Sequence, residues 1–426
     1  MKSKKIIKKL LMLSAVTILG VSLFSGCGSN KDGETNSSGS DDKVTIKFAM
    51  WDNIDEDNNF IKAFEEKNPD IKVDLMVIPS DNYSEKLNSM IAGKSAPDVI
   101  LAWECDINRF AKNGAIEDLE EYLSDSSINT DDFIPAVNDL TEVTGGSYGL
   151  PWCYASEILY YNKDMFDEAG VEYPNDNWTW EDFREAAKKL TIREGNNVTQ
   201  WGATTIDIPG VWYSQIGQTG DAVIDSDGNI VLEDGAKKAL EFEYQLINQD
   251  KVVPEPSGAS GNSVDLFTAG KAAMTRTGSW FIGSYKEIKD FDWDIAVLPK
   301  GEIQYSSLHT GFFTISSDSK YKEASWRFIE YCMSEEGQEM ISKSTSNPSA
   351  IKSFTEKGAY RNGGENGPTN WDVIEDTAEF GKFGYVLAAP GVTNKLVDKF
   401  NAAVAGQVDI EDALKDAQKE IDSAKQ

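Results

Sequence analysis

Side chains that could catalyse a reaction are few and scattered in this sequence. His309 in SLHTGFF is the only histidine, and no nucleophile elbow, zinc-protease helix or glycine-rich phosphate loop occurs. The segment DSDGN at 225–229 suggests a calcium loop, but Ile230 and Ala236 stand where that loop requires glycine and glutamate. A lone histidine is usually structural or lines a cleft. The sequence therefore predicts no metal and no cofactor.

Carboxylate pairs are the remaining catalytic option. Glycoside hydrolysis needs two positioned acids, and Asp52 with Glu104 would be such a pair. Since the chain contains 71 Asp and Glu residues, a pair of this kind is expected by chance. We therefore predict that the protein is not an enzyme, with a secreted glycoside hydrolase as the enzymatic alternative.

Tryptophan is the residue type that indicates a function. The chain has 11 tryptophans, and several fall at the ends of predicted strands. A sugar ring has an apolar face that a flat indole can cover, while carboxylates, amides and backbone groups bind the hydroxyls at its edge. Such groups converging in a cleft hold a ligand without changing it. The pattern favours carbohydrate binding.

Strands and helices alternate through the first part of the chain. VTIKFAMW, IKVDLMVIP and PDVILAW have the pattern of strands, and FIKAFEEK and YSEKLNSMIAG have that of the helices between them. This order predicts an α/β fold with a mostly parallel sheet, in which ligands bind at the carboxyl ends of the strands. Trp51 and Trp103 end two strands, and Trp152 and Tyr154 begin the segment around EILYYN. We therefore expect these four rings at a cleft.

Length and charge narrow the class further. A chain of 426 residues exceeds what one hydrophobic core usually fills, so two lobes are expected. The formal net charge is −30, and a nucleic-acid partner would need a basic face that this balance disfavours.

The first 42 residues have the layout of an export signal followed by a tether. Five lysines precede an apolar run at 10–24 that is too short for a comfortable membrane span. Ser25-Gly26 and Cys27 follow, and then a polar, Gly/Ser-rich stretch. This resembles a bacterial lipoprotein signal, with 1–26 as the signal peptide and 27–42 as the lipidated Cys27 and its flexible tether. A plain signal peptide cut nearby is the alternative.

Blocks of sequence from about Lys43 to the C-terminus occur in an order typical of one family. They are FEEKNPDIKVDLMVIPSDNYSEKL, APDVILAWECDINRFAKNGAIEDL, YGLPWCYASEILYYNKDMFDEAG with TWEDF, LFTAGKAAMTRTGSWF, DWDIAVLPKG, GFFTISSDSKYKEASWRFIEYCMSEEGQEMI and IEDALKDAQKEI. Together they resemble the extracellular solute-binding proteins (family 1) of ABC-type sugar importers, the broad family that includes maltose-binding protein.

The resemblance implies a two-lobe periplasmic-binding-protein-like α/β fold, in which each lobe is a mostly parallel sheet flanked by helices. The N-terminal lobe would comprise 43–154 and 298–350, and the C-terminal lobe 155–297 and 351–426. It further implies a monomer on the extracellular face of the cell membrane, attached through the lipid anchor only. This monomer would close on an oligosaccharide and deliver it to the permease subunits of an ABC importer. A surface adhesin for polymeric glycan is the alternative outside transport.

The resemblance also implies which residues contact the sugar. Trp280 in TGSWF matches the family's stacking tryptophan, and Trp212 with Tyr213 is expected in a loop that supplies stacking rings. Trp371 would replace a ring that VTNKLVDKF lacks. The full set predicted to bind the ligand is Trp51, Asp52, Trp103, Glu104, Asp106, Trp152, Tyr154, Trp212, Tyr213, Trp280 and Trp371.

Replacing Cys27 tests the predicted anchor. In Cys27→Ser the thiol that would carry the lipid is absent, so the protein should move from the membrane fraction to the medium. Immunoblotting of fractionated cells measures this, with Ser38→Ala in the tether as the matched control. Retention of Cys27→Ser in the membrane fraction would contradict the anchor.

Overall fold

The computed structural model describes residues 43–51, 59–137, 145–206, 208–223, 230–256, 265–383 and 392–424. The predicted signal peptide, Cys27 and the tether lie outside these residues, as do Asp52 and the segment 225–229. No helix within the described ranges is long and apolar enough to cross a membrane.

The described strands fall into one large sheet and one small hairpin. They are β1 (Val44–Met50), β2 (Ile71–Val77), β3 (Val99–Trp103), β4 (Leu150–Asn162), β5 (Ile192–Glu194), β6 (Asn197–Gln200), β7 (Met274–Gly278), β8 (Trp293–Ala296), β9 (Ser307–Ile315) and β10 (Lys382–Phe383). The large sheet has the order β2-β1-β3-β9-β4-β7, with β10 beside β9 and β8 beside β4, while β5 and β6 form the hairpin.

Strand direction changes within the large sheet. β1 is parallel to β2 and β3, as the alternation of strands and helices predicts. β9 is antiparallel to both β3 and β4, and β4 is antiparallel to β7 and β8. The α/β class is confirmed, but the sheet is mixed rather than mostly parallel, because β9 runs opposite to both its neighbours and β4 runs opposite to β7 and β8.

Helices pack around the sheet and predominate in the part of the chain after β9. They are α1 (Phe60–Lys67), α2 (Tyr83–Ala92), α3 (Glu104–Lys112), α4 (Glu120–Ser124), α5 (Lys163–Ala169), α6 (Trp180–Leu190), α7 (Pro209–Gly217), α8 (Asp234–Tyr244), α9 (Ile282–Tyr285), α10 (Lys322–Cys332), α11 (Glu335–Thr345), α12 (Lys352–Thr355), α13 (Asp372–Phe380), α14 (Val392–Val404) and α15 (Ile410–Ala424).

The buried apolar residues form two clusters. The first lies around β1 to β3, where Phe48 and Phe64 pack against Phe328 with ring centroids 5.1 and 5.0 Å apart. The second lies among α6, α7, α8, α14 and α15 and contains Leu240 and Leu396. The lobe boundaries given above stay a prediction.

Strand β4 links the two halves of the sheet. Its first part, from Leu150 to Ser156, pairs with β9, and its second part, from Glu157 to Asn162, pairs with β7 and β8. All thirteen of its residues are buried. A continuous buried strand therefore fixes the position of β7 relative to β9, and with it the position of Trp280, which follows β7.

A buried ion pair between Arg276 on β7 and Glu243 on α8 also holds β7 in place. Arg276 donates two hydrogen bonds to the carboxylate of Glu243, at 2.7 and 3.0 Å, and its guanidinium lies over the ring of Phe183. Gln215 Nε2 donates a third hydrogen bond to Glu243, at 2.9 Å. Because a buried charge needs such partners, the pair ties β7 to helices α6, α7 and α8.

Candidate functional site

Two tryptophans form a stacked pair at the carboxyl ends of neighbouring strands. Trp51 follows β1 and Trp103 ends β3, and their rings lie 3.6 Å apart at an angle of 15°. Trp152 meets Trp51 edge-on, with ring centroids 5.3 Å apart. Since β1 and β3 are parallel neighbours, their carboxyl ends meet at one edge of the sheet. The structure thus brings together three of the rings predicted at a cleft.

A glycine on β9 makes room for this pair. Gly311 is paired with Trp103 across the β3–β9 ladder. A Cβ atom at Gly311 would lie 2.3 Å from Cη2 of Trp51, which is closer than real Cβ contacts. Trp51 therefore lies directly against the backbone of β9, and a side chain at 311 would displace it.

The same strand carries a histidine between two carboxylates. His309 Nδ1 lies 3.2 Å from Glu104 Oε1, and His309 Nε2 lies 2.8 Å from Glu157 Oε1. All three side chains are buried. Glu104 begins α3, directly after Trp103, and Glu157 lies on β4. We name Glu104, His309 and Glu157 the acid–histidine cluster.

The carboxylates decide the protonation of His309. Burial alone lowers the pKa of His309, but the hydrogen bonds to Glu104 and Glu157 outweigh it and raise the pKa to about 9. The imidazole therefore carries a positive charge at neutral pH and donates to both acids. Because both ring nitrogens are used in this way, neither is left to bind a metal ion.

Helix α7 begins against this cluster. A Cβ atom at Gly210, in the first turn of α7, would lie 2.1 Å from Glu157 Oε1 and 2.5 Å from His309 Nε2. The glycine thus allows the N-terminal turn of α7 to approach the carboxylate. The positive end of a helix dipole stabilises a negative charge placed there.

Trp280 lies beside the cluster on its exposed side. It sits in a tight turn, Ser279–Phe281, that follows β7, and its ring meets His309 edge-on at 5.2 Å. The Ser279 hydroxyl accepts from the Ser156 amide and donates to Asn347, at 3.2 and 2.9 Å, which holds the turn in place. The residue is 38% exposed, the only tryptophan among the exposed large apolar side chains of the described residues. A rigidly held, solvent-accessible indole is suited to stacking on a ligand.

Two other predicted ligand residues are fully engaged within the protein. Asp106 is buried and accepts hydrogen bonds from Ser84 and Arg109, although burial itself raises its pKa. Tyr154 is 1% exposed, and its hydroxyl lies 3.5 Å from the carbonyl oxygen of Ile374. Both side chains therefore stabilise the protein interior around the site, and neither faces solvent.

The predicted loop at Trp212 and Tyr213 is wrong. Both residues lie in α7 and are 1% exposed, and the Trp212 ring packs edge-on against Phe400 at 5.3 Å. They belong to the second apolar cluster. Trp371 is half-buried at the start of α13, with its ring edge-on to Tyr360 at 5.6 Å.

Sequence reasoning missed His309 and Glu157 as site residues. The only signal was His309 itself, because its partners lie 205 and 152 residues away along the chain. Glu157 opens the segment EILYYN, which has the apolar pattern of an ordinary core strand. Only the folded structure shows that Glu157 is 0% exposed and hydrogen-bonded to a charged partner.

Comparison with known proteins decides the family. The family model described as bacterial extracellular solute-binding protein matches residues 52–339. The chain belongs to this family. The predicted family is thereby confirmed, and with it a solute-binding role in place of catalysis.

Individual relatives extend this likeness over most of the chain. A maltooligosaccharide ABC transporter solute-binding lipoprotein of Streptococcus pneumoniae serotype 4 (strain ATCC BAA-334 / TIGR4) is 24% identical over 433 residues, covering 97% of this chain and 96% of the relative. A protein of Brucella abortus (strain 2308), described only as a binding protein, is 26% identical over 278 residues. Those cover 63% of this chain and 66% of the Brucella protein.

A solved structure confirms the predicted fold. The ABC substrate-binding protein of Listeria monocytogenes in complex with cycloalternan superposes with a TM-score of 0.79 at 26% identity. The match covers 90% of this chain and 99% of that one. The fold is therefore that of the periplasmic binding proteins.

The acid–histidine cluster predicts how stability depends on pH. A histidine with a folded pKa of about 9 and an unfolded pKa of 6.5 stabilises the fold fully below the unfolded value, and that contribution is lost as pH rises through the folded value. The free energy of unfolding should therefore fall by on the order of 3 kcal/mol between about pH 6.5 and 9. Urea unfolding across this range measures it. His309→Gln should lack this decline, and an equal decline in both proteins would contradict the assignment.

Proposed function

We propose that this protein captures an oligosaccharide outside the cell and delivers it to the permease of an ABC importer. The observation that carries the proposal is the exposed ring of Trp280 beside the acid–histidine cluster, with the Trp51–Trp103 pair directly adjoining Glu104. Aromatic faces and buried hydrogen-bonding groups thus converge in one region.

This combination matches the chemistry of a sugar. The C–H face of a pyranose packs on an indole, and several rings in one region suit a ligand of more than one sugar unit. Both N–H groups of His309 are bonded to the carboxylates, so the cluster supplies hydrogen-bond acceptors beside the rings.

The ligand-binding set that we propose is smaller than the sequence-based one. It contains Trp51, Trp103, Glu104, Trp152 and Trp280. His309 and Glu157 position Glu104. Trp212 and Tyr213 belong to the second apolar cluster, and Asp106 and Tyr154 are engaged by Ser84, Arg109 and the Ile374 carbonyl, so these four residues maintain the surrounding core. Trp371 and Asp52, which lies outside the described residues, stay predictions.

The ligands of relatives support an oligosaccharide in particular. The Streptococcus protein is named for maltooligosaccharides, and the Listeria structure contains cycloalternan. Both are carbohydrates of several units. We infer the same ligand class here and leave the sugar unit open to a binding screen.

The remaining parts of the proposal concern place and motion. The lipoprotein-type signal before residue 43 supports attachment of Cys27 to the outer face of the cell membrane. The proposed lobes, 43–154 with 298–350 and 155–297 with 351–426, would approach each other when sugar binds. Such closure shifts a population towards the form that the permease recognises.

Trp280→Ala tests the proposed site, with Trp212→Ala as its matched control. Removing the exposed ring should weaken binding of a screened trisaccharide by more than about tenfold, because ring stacking and apolar burial are lost together. Removing the buried ring of Trp212 should instead cost roughly 3–5 kcal/mol of stability and leave affinity nearly unchanged. Calorimetric titration gives the affinity, and urea unfolding without sugar gives the stability.

The two variants separate a ligand contact from a core contact. Near-native affinity in Trp280→Ala together with a large loss of stability would remove Trp280 from the site. No binding of any oligosaccharide by the unmodified protein would contradict the function itself.

A further inference from the structure

The acid–histidine cluster holds one more acid than base. Its two hydrogen bonds, Glu104 to His309 and His309 to Glu157, each require a proton, so the three groups together hold two protons. Two carboxyls and one imidazole with two protons carry a net charge of −1, whichever atoms the protons occupy. The exposed Trp280 ring meets His309, the central member of this net-negative cluster, edge-on at 5.2 Å.

Nearby features that ordinarily bind anions are already occupied. Glu104 is the first residue of α3, and Glu157 lies against the first turn of α7, so the positive ends of both helices face the protein's own carboxylates. Arg109 is hydrogen-bonded to Asp106, and Arg276 to Glu243. Each of these cations is already paired with an acid.

The Glu104 carboxylate has one oxygen without a partner among the described residues. Glu104 Oε2 is buried and has no hydrogen-bond partner among the described residues. A carboxylate oxygen accepts hydrogen bonds and cannot donate them when ionised. No donor of the described residues therefore offsets the charge on this oxygen, and a ligand carboxylate or phosphate nearby would be repelled by it.

We propose that the site selects uncharged oligosaccharides and rejects acidic ones, such as uronic-acid oligosaccharides and sugar phosphates, with Glu104 as the specificity-determining residue. This rests on the proposed function. At about 6 Å and an effective dielectric constant of about 20, repulsion between two unit charges lowers affinity on the order of a hundredfold. Because the cluster is buried, salt screens this repulsion less than it would at the surface.

A matched set of ligands isolates the effect of charge. The neutral trisaccharide that binds best in a screen of maltotriose, arabinotriose and mannotriose is compared with the same sugar after oxidation of its primary alcohols to carboxylates. The methyl ester of the oxidised sugar is the control, since it has similar bulk and no charge. The dissociation constant of the acid divided by that of the ester then measures how strongly the negative charge of the site disfavours an anionic ligand.

In the unmodified protein the acid should bind on the order of a hundredfold more weakly than its ester. Glu104→Gln removes the extra negative charge and should reduce this ratio at least tenfold. Glu168→Gln, an exposed position on α5, changes the same charge elsewhere and should leave the ratio unchanged. Circular dichroism and urea unfolding without sugar verify that each variant is folded.

The outcomes separate this inference from the proposed function. If the acid binds as tightly as the ester, or if Glu104→Gln leaves the ratio unchanged, charge selection by Glu104 is wrong while sugar binding stands. If none of the neutral trisaccharides and none of their derivatives binds, the proposed function fails. The ratio in the unmodified protein needs no variant, so a poorly folding Glu104→Gln still leaves a decisive measurement.

Discussion

His309 hydrogen-bonds to two buried carboxylates that come from different parts of the fold, and the site depends on this contact. An isolated carboxylate in the interior costs several kcal/mol, so neither Glu104 nor Glu157 would remain buried and ionised without a partner. The imidazole serves both, because its two nitrogens face in different directions. The contact joins the start of α3, the middle of β4 and the first part of β9 at one point.

The residues of the site line up along one face of β9. His309 and Gly311 are two positions apart on β9, so they share a face of the sheet. Gly311 accommodates Trp51, and His309 meets the edge of Trp280. β4 lies between β9 and β7 and therefore sets the distance from the histidine to the turn that holds Trp280.

The local sequence pattern was sufficient to predict those parts of the fold that form between neighbouring segments of the chain. The alternation of β1, α1, β2, α2 and β3 was predicted because each element has its own periodicity, and parallel neighbours place Trp51 and Trp103 together. The antiparallel entry of β9 was not predicted, because it depends on residues more than 200 positions away from β3. The partners of His309 were missed for the same reason.

The burial of α7 shows a second limit of prediction from sequence. All eight residues from Gly210 to Gly217 are buried, so the segment lacks the alternation of apolar and polar faces by which a helix is recognised. Family likeness alone therefore assigned Trp212 and Tyr213 to a loop. Exposure distinguishes a stacking ring from a core ring, and exposure was decided here by the packing of α7 against α8 and α14.

A crystal structure with a bound trisaccharide tests the central claim most directly. A sugar ring should lie parallel to the Trp280 indole, with carbon atoms within about 4.5 Å of it, and the neighbouring units should extend towards Trp51 and Trp103. Sugar bound elsewhere with Trp280 untouched would contradict the account. One such place is the cavity of about 240 Å³ between α11 and α12, which is lined by residues that include Glu339, Lys343 and Lys357.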